Sequence, residues 1–309
     1  MTNDAAAGGD GEARPDPAGS PRAPTGGTRA ADGGAGSHAR DAAIERARGL
    51  LRVSPWADAT ERITLWLVSP PRGITARTRP PVEAWLTIDR PTAQTLGGDG
   101  QRLHLEGAIA RDLPPSPADA GLRACLFTEE ALAALLSGEG RRALEARWYL
   151  SHAELLADRL GRHERFLAES ARSPDGAVER ALRGAYLQAA GALPALSPVP
   201  EGNAGLEALP AAGEAASALA RLACLLDGDS HAPIAWLLPA AQDTRLGRRL
   251  RSWFDDLGLV LAGDEAAARR VMSAREAVLE QARTLARHRV GERPWLREPA
   301  SYVLNPRRS

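Results

Sequence analysis

The chain has no lysine, so all 39 of its basic side chains are arginine, set against 39 acidic ones for a formal net charge of +0. An arginine monopoly of this kind points to a GC-rich coding bias rather than to selection for guanidinium chemistry. With no net charge there is no whole-protein attraction to nucleic acid or to an anionic membrane, and neither is expected as a partner. Only two cysteines occur, Cys125 and Cys224, each alone in apolar surroundings. That excludes a disulfide framework and a thiolate metal site, and reads as two buried thiols in a reducing compartment. The six histidines show no metal-ligand spacing. No apolar run approaches the roughly 20 residues that a membrane span needs. The start of the chain lacks the charged-then-apolar pattern of a signal peptide, so the expected location is cytoplasmic.

What is present begins weakly. Residues 1–36 are Gly, Ala, Pro, Asp and Arg with hardly a large apolar side chain, and are expected to be disordered. Ser37 can cap a helix from His38 to about Leu51, with Ala43, Ile44, Ala47, Leu50 and Leu51 at helical spacing. Ile63, Leu65 and Leu67 then alternate with Thr64, Trp66 and Val68, which suits a strand with one face well buried. Val82–Ile88 forms a second strand, with Glu83, Trp85, Thr87 and Asp89 on the face opposite Val82, Ala84, Leu86 and Ile88. Arg102–Ile109 and Leu122–Phe127 read as further strands, and Thr128-Glu129-Glu130 starts a helix through Leu136. Trp148–Leu156 reads as a short helix or strand leading to a turn at Asp158 and Gly161.

Beyond Arg162 the pattern becomes helical. Ser173-Pro174-Asp175 leads into a helix marked by Val178, Leu182, Ala185 and Leu187. Leu196–Leu209 looks like a Pro/Gly loop. Ala215, Ala218, Leu219, Leu222, Leu225 and Leu226 make the strongest helical stripe in the chain. Helices are also expected at Ile234–Ala241, Leu246–Leu261 and Ala266–Arg287, with an extended tail at Pro294–Pro306 that packs Trp295 and Tyr302. The fold class is α+β: a small mixed sheet at about 37–160, then a helical part at 161–309.

The segment from Ile63 to Asp89 resembles the core of the nucleotidyltransferase superfamily, the polymerase-β-like fold that includes the aminoglycoside nucleotidyltransferases. In that family a strand ends in Gly-Ser, an Arg-Gly follows, and Ser-Asp-x-Asp or Ser-Asp-x-Glu opens the next strand. Ser69 matches the serine, Arg72-Gly73 matches the Arg-Gly, and Pro80-Pro81-Val82-Glu83 takes the place of the last motif. The helix start at Thr128-Glu129-Glu130 resembles the kanamycin-type members. The resemblance implies a nucleotide-binding role for Ser69, Arg72 and Gly73, a Mg²⁺-binding role for Glu83, and a nucleoside triphosphate and a small hydroxylated molecule as partners. Aligned on Ala190-Gly191, Gln188 stands where the kanamycin-type family has its catalytic glutamate, and Ala192 where it has a lysine.

The departures are chemical. Val68 replaces the glycine and Pro81 the first carboxylate, so Glu83 lacks the partner two residues away that would share its side of the strand. Asp89 is on the same face but about 20 Å off at roughly 3.3 Å per residue. Two prolines remove N–H donors from the turn that should cradle phosphate, and a glutamine cannot act as a general base at neutral pH. Each position also has a plainer reading: Glu83 as a solvated strand-edge carboxylate, Arg72 as a surface arginine, Gln188 as an ordinary exposed helix residue. Glu106 is a candidate third strand carboxylate. Ser151, His152, Glu154 and Asp158 look triad-like only on paper. Two functions are therefore expected to compete: a weak or inactive transferase moving a nucleotidyl group to a small-molecule hydroxyl, and a non-catalytic module keeping the same fold for binding. The oligomeric state stays open, a homodimer being one option.

Overall fold

A computed structural model describes residues 44–45, 47–49, 62–68, 82–95, 103–104, 122–196 and 204–303. The expected disordered tail, most of the strand at 102–109 with Glu106, and the whole loop carrying Ser69, Arg72, Gly73 and Pro81 lie outside those residues. Of the first expected helix, Ile44, Glu45 and Ala47–Gly49 are helical.

The sheet has five strands: β1 (Ile63–Val68), β2 (Val82–Ile88), β3 (Leu103–His104), β4 (Leu122–Thr128) and β5 (Ala153–Asp158), in the order β3-β4-β2-β1-β5. The expected neighbours β1 and β2 pair antiparallel, from Ile63 opposite Ile88 to Val68 opposite Glu83. β2 runs parallel to β4, while β3 and β5 close the edges antiparallel. The sheet is therefore mixed, with β2 in its interior.

One expectation needs correcting here. Thr64 and Trp66 are as fully buried as Ile63, Leu65 and Leu67, so β1 hides both faces rather than one. The cause is a layer of helices over the Thr64–Trp66 side. These are α2 (Glu129–Leu136), α3 (Arg141–Ser151) and α4 (His163–Ser170); α1 (Arg90–Thr95) is a single short turn after β2. Trp66 meets Phe166 of α4 edge-on at 5.8 Å, and Trp85 packs against Phe127 at 5.0 Å and Tyr149 of α3 at 4.9 Å. Thr128 caps α2 by accepting from the Ala131 N–H, as its sequence signature predicts. The ambiguous segment after Trp148 resolves into both alternatives: α3 ends at Ser151, and β5 starts at Ala153.

The helical part comprises α5 (Ala177–Ala192), α6 (Ala204–Asp227), α7 (Ile234–Gln242), α8 (Arg245–Arg249), α9 (Arg251–Leu261), α10 (Glu265–Val290), α11 (Pro294–Arg297) and α12 (Pro299–Val303). The predicted stripe on α6 is buried throughout, and burial wraps round the helix from Leu222 to Leu226 because α5, α7, α8, α9 and α10 all pack on it. Each fully buried leucine there contributes about 1.5–3 kcal/mol. Two expectations fail on proline. The segment expected as a loop is helical from Ala204 onward, with Pro210 inside α6; Ala, Leu and Glu around it favour helix enough to tolerate one missing hydrogen bond. The tail expected to be extended coils into α11 and α12, since proline at a first helical position is a helix starter. Trp295 is buried as anticipated, against Tyr186.

Cys125 and Cys224 are both free and buried, and burial pushes the Cys224 thiol up to about 11. One apolar core runs from Trp66 in the sheet to Leu296 near the end of the bundle. Tyr149 and Trp148 join the two parts, meeting Trp236 of α7 at 5.4 and 5.6 Å. No helix among the described residues is long and apolar enough to cross a membrane.

Candidate functional site

Glu83 is the one predicted site residue of the sheet that lies within the described residues, and it is not a solvated edge group. It is 6% exposed, because β2 is flanked on both sides by strands and Tyr149 of α3 lies over the face it points from. Its Oε1 accepts the Tyr149 hydroxyl at 3.0 Å, and its Oε2 accepts the Trp85 indole N–H at 3.0 Å. Alternation along β2 explains half of this: Trp85 is two residues on and shares the face. The other half comes from α3, which delivers Tyr149 from 66 positions away. Burial, followed by the charge and hydrogen bond of Glu83, raises the Tyr149 phenol well above its ordinary range, so it stays a proton donor.

This arrangement tests the fit of Glu83 to Mg²⁺. A hard cation of that size needs a near-octahedral set of oxygens, usually waters, substrate phosphates and carboxylates that face an open site. Here each carboxyl oxygen already faces an N–H or O–H proton, under a helix. No group of three or more His, Cys, Asp or Glu side chains suited to an ion occurs among the described residues. The surroundings of Glu83 suit a satisfied buried acceptor and not a cation ligand.

Gln188 lies half-buried on α5, between two helices of the bundle. Its amide nitrogen donates to Glu214 at 3.1 Å, and its carbonyl accepts from Arg221 at 3.4 Å, both on α6. Glu179, earlier on the same helix, is held by Arg293 through two hydrogen bonds of 2.7 and 3.2 Å. Glu214, against Gln188, and Glu179, more than two turns away, thus both have structural partners.

Asp158 has a clear role at the sheet's end. It accepts from the Thr64 hydroxyl at 2.8 Å and from the N–H groups of Arg162 and His163 at 2.9 and 3.1 Å, where α4 begins. Burial pushes its carboxyl up, but these hydrogen bonds and His163 outweigh it and hold the group below its usual value. Gly161, with φ of 64°, makes the turn between them. The neighbouring His163 accepts the Trp66 indole N–H on Nδ1 at 3.0 Å, which places the proton of its neutral ring on Nε2. The paper triad does not assemble. Ser151 lies 2.9 Å from His152 Nδ1, but that nitrogen also faces the Trp148 carbonyl, and Asp158 is committed at the head of α4.

Sequence reasoning missed a second constellation. Arg147 on α3 is 1% exposed. Its Nε donates to the Leu136 carbonyl at 2.9 Å and its Nη2 to the Gly138 carbonyl, so it closes the end of α2. Its Nη1 is buried with no partner. Arg147 also lines a cavity of about 460 Å³ between α3, α4 and the α6–α8 part of the bundle. An arginine in an amphipathic helix reads as a surface residue; only its burial in three dimensions marks it.

No protein-family model matches the chain. No curated protein matches it either. Among solved structures, it is similar to a nucleotidyltransferase-like protein from Exiguobacterium sibiricum 255-15, with 14% identity over 86% of this chain and 88% of that one and a TM-score of 0.38. At that level of similarity, neither shared chemistry nor a shared substrate follows.

Proposed function

We propose that this chain is a nucleotidyltransferase-like protein in which the metal-binding strand has become part of the core, leaving a non-catalytic module. Its two halves are the sheet part to about residue 160 and the helical part from 161. The observation that supports the reading is the double capture of Glu83 by Tyr149 and Trp85 beneath α3. An active relative would need that carboxyl open to a cation bridging triphosphate oxygens and stabilising charge on the transferring phosphorus. Pro81, in place of the partner carboxylate, and Gln188, in place of the base, point the same way. Nucleotide contact through Ser69, Arg72 and Gly73 remains part of the proposal, as binding without transfer.

The test is Mg²⁺-dependent pyrophosphate release from ATP with a mixture of aminoglycosides, measured for wild type and Glu83→Gln. The expected result is no release above background in either. Brisk wild-type turnover that Glu83→Gln abolishes would overturn the reading and restore the transferase. Calorimetry with ATP, with and without Mg²⁺, separates binding from transfer.

A further inference from the structure

Arg221 on α6 is a half-buried cation that no carboxylate answers. Among the described residues no acidic side chain forms an ion pair with it, whereas Arg245, Arg270, Arg283, Arg289 and Arg293 of the same bundle each have one. Its Nη1 makes one long bond of 3.4 Å to the Gln188 carbonyl on α5, and its Nε is enclosed without a partner. That leaves Nη2, neither enclosed nor bonded, as a charged donor turned to solvent. Arg141, the first residue of α3, stands close enough that its charge adds to burial in pushing the Arg221 guanidinium down. Arg141 commits only its Nε, to Glu145 at 2.7 Å, and its side chain is 53% exposed, so both of its terminal nitrogens are open as well. Glu145 offsets the two cations, but Arg141 already holds it. Glu214, two turns from Arg221 along α6, bonds the Gln188 amide instead. His231 is buried beside Arg221, Arg141 and Glu145; it donates from Nδ1 to the Ala232 carbonyl, and burial favours its neutral form. Two guanidiniums therefore share one carboxylate where α3 faces α5 and α6.

We propose that Arg221 and Arg141 together bind an oxyanion, the phosphate or carboxylate group of a small molecule, between α3 and the α5–α6 pair. Charge-assisted bonds from guanidinium to such oxygens are the strong ones, and an arginine fork suits two oxygens of one group. Gln188 already steadies Arg221, so less side-chain freedom is lost on binding. The site is separate from Glu83 and stands whether or not that strand ever supported transfer chemistry.

The experiment is calorimetric titration of the full chain with inorganic phosphate and, separately, with succinate, at ionic strength held constant with chloride. Wild type is expected to bind at least one of the two saturably at one site, and which of them binds tells phosphate from carboxylate. Arg221→Gln removes the half-buried charge and is expected to weaken binding about tenfold or more, a difference of about 1.4 kcal/mol or above. Arg141→Gln removes the exposed charge and is expected to weaken it about threefold or more. Arg142→Gln removes an equal charge from the exposed neighbour of Arg141 and is expected to bind as wild type does. Should Arg221→Gln fail to fold, Arg141→Gln decides alone, since its side chain is mostly in solvent. Unchanged affinity in Arg141→Gln overturns the proposal. So does an equal loss in Arg142→Gln, which marks diffuse surface charge rather than a site, and so does the absence of wild-type binding to either probe up to about 20 mM, where a millimolar site would show.

Discussion

Tyr149 on α3 donates its hydroxyl proton to Glu83 on β2 at 3.0 Å, joining a helix and a strand that lie 66 residues apart. The contact sits where Trp85, Tyr149 and Trp236 pack in a chain of tilted and edge-on rings from sheet to bundle, so a polar bond lies among aromatic rings. A buried carboxyl in such a place is tolerated only because both of its oxygens are met.

Tyr149→Phe removes one donor and keeps the ring. Glu83 is then left buried with a donor missing, at a cost of about 1.5–3 kcal/mol. Urea denaturation of the single and double variants with Glu83→Leu measures it. The double variant is expected to lose less than the sum of the singles, because the Tyr149–Glu83 bond is already gone in each. Additive losses would show that the two residues do not depend on one another.

Restoring the missing motif residues is expected to fail by itself. Pro81→Asp supplies the absent carboxylate, but Tyr149 and Trp85 still hold Glu83. Gln188→Glu sets a carboxylate against Glu214, now 3.1 Å from the amide, with only Arg221 to offset the repulsion. The double variant should show no Mg²⁺-dependent pyrophosphate release, and its melting temperature should fall. Activity in the double variant with Tyr149 intact would mean that the carboxyl can be pulled free by the metal.

The sheet was legible because β1 and β2 alternate two sets of side chains along the strand, and a strand's period of two survives any packing around it. The α6 stripe was legible for the parallel reason at the helical period. Pro294 and Pro299 misled because proline is a breaker inside a helix yet a favoured opener at its first position, and which applies depends on where neighbouring turns already exist. The setting of Glu83 could be half read, since Trp85 shares its face by spacing alone. Tyr149 could not, because nothing local says that α3 folds back over β2. Arg147 was hidden for the same reason: its burial is a property of the bundle.

Gly247 near the start of α8 is expected to resist even a methyl group. A Cβ there would overlap the backbone carbonyl of Ala241, which cannot move without disturbing the Thr244 cap that holds both. Overpacking of this kind typically costs about 1–3 kcal/mol, and backbone clashes lie at the upper end. Gly247→Ala should therefore lower the urea midpoint clearly. Gly213→Ala on α6, where nothing lies within 4 Å of the added carbon, should leave it unchanged or raise it. Equal effects of the two substitutions would show that the close approach at Gly247 is relieved at no cost.

Asp158 should give the protein part of its acid sensitivity. Its folded pKa lies below the value of 3.8 for an unperturbed carboxyl: burial raises it, but the Arg162 N–H, the Thr64 hydroxyl and the His163 N–H together lower it further. A depressed folded pKa means the unfolded chain binds the proton first as pH falls. The stabilisation is thus fully present above about pH 4–5 and is lost as pH drops through the folded value. Asp158→Ala leaves two N–H groups at the head of α4 without their acceptor and frees the Thr64 hydroxyl in a buried strand. Loss of a cap of this type costs about 0.5–2 kcal/mol at neutral pH. The difference between wild type and variant, followed by urea denaturation from pH 7 to pH 3, should shrink toward the acid end. A difference that stays constant over that range would assign the effect of Asp158 to packing alone, and a difference that grows on acidification would reverse the sign argued from its hydrogen bonds.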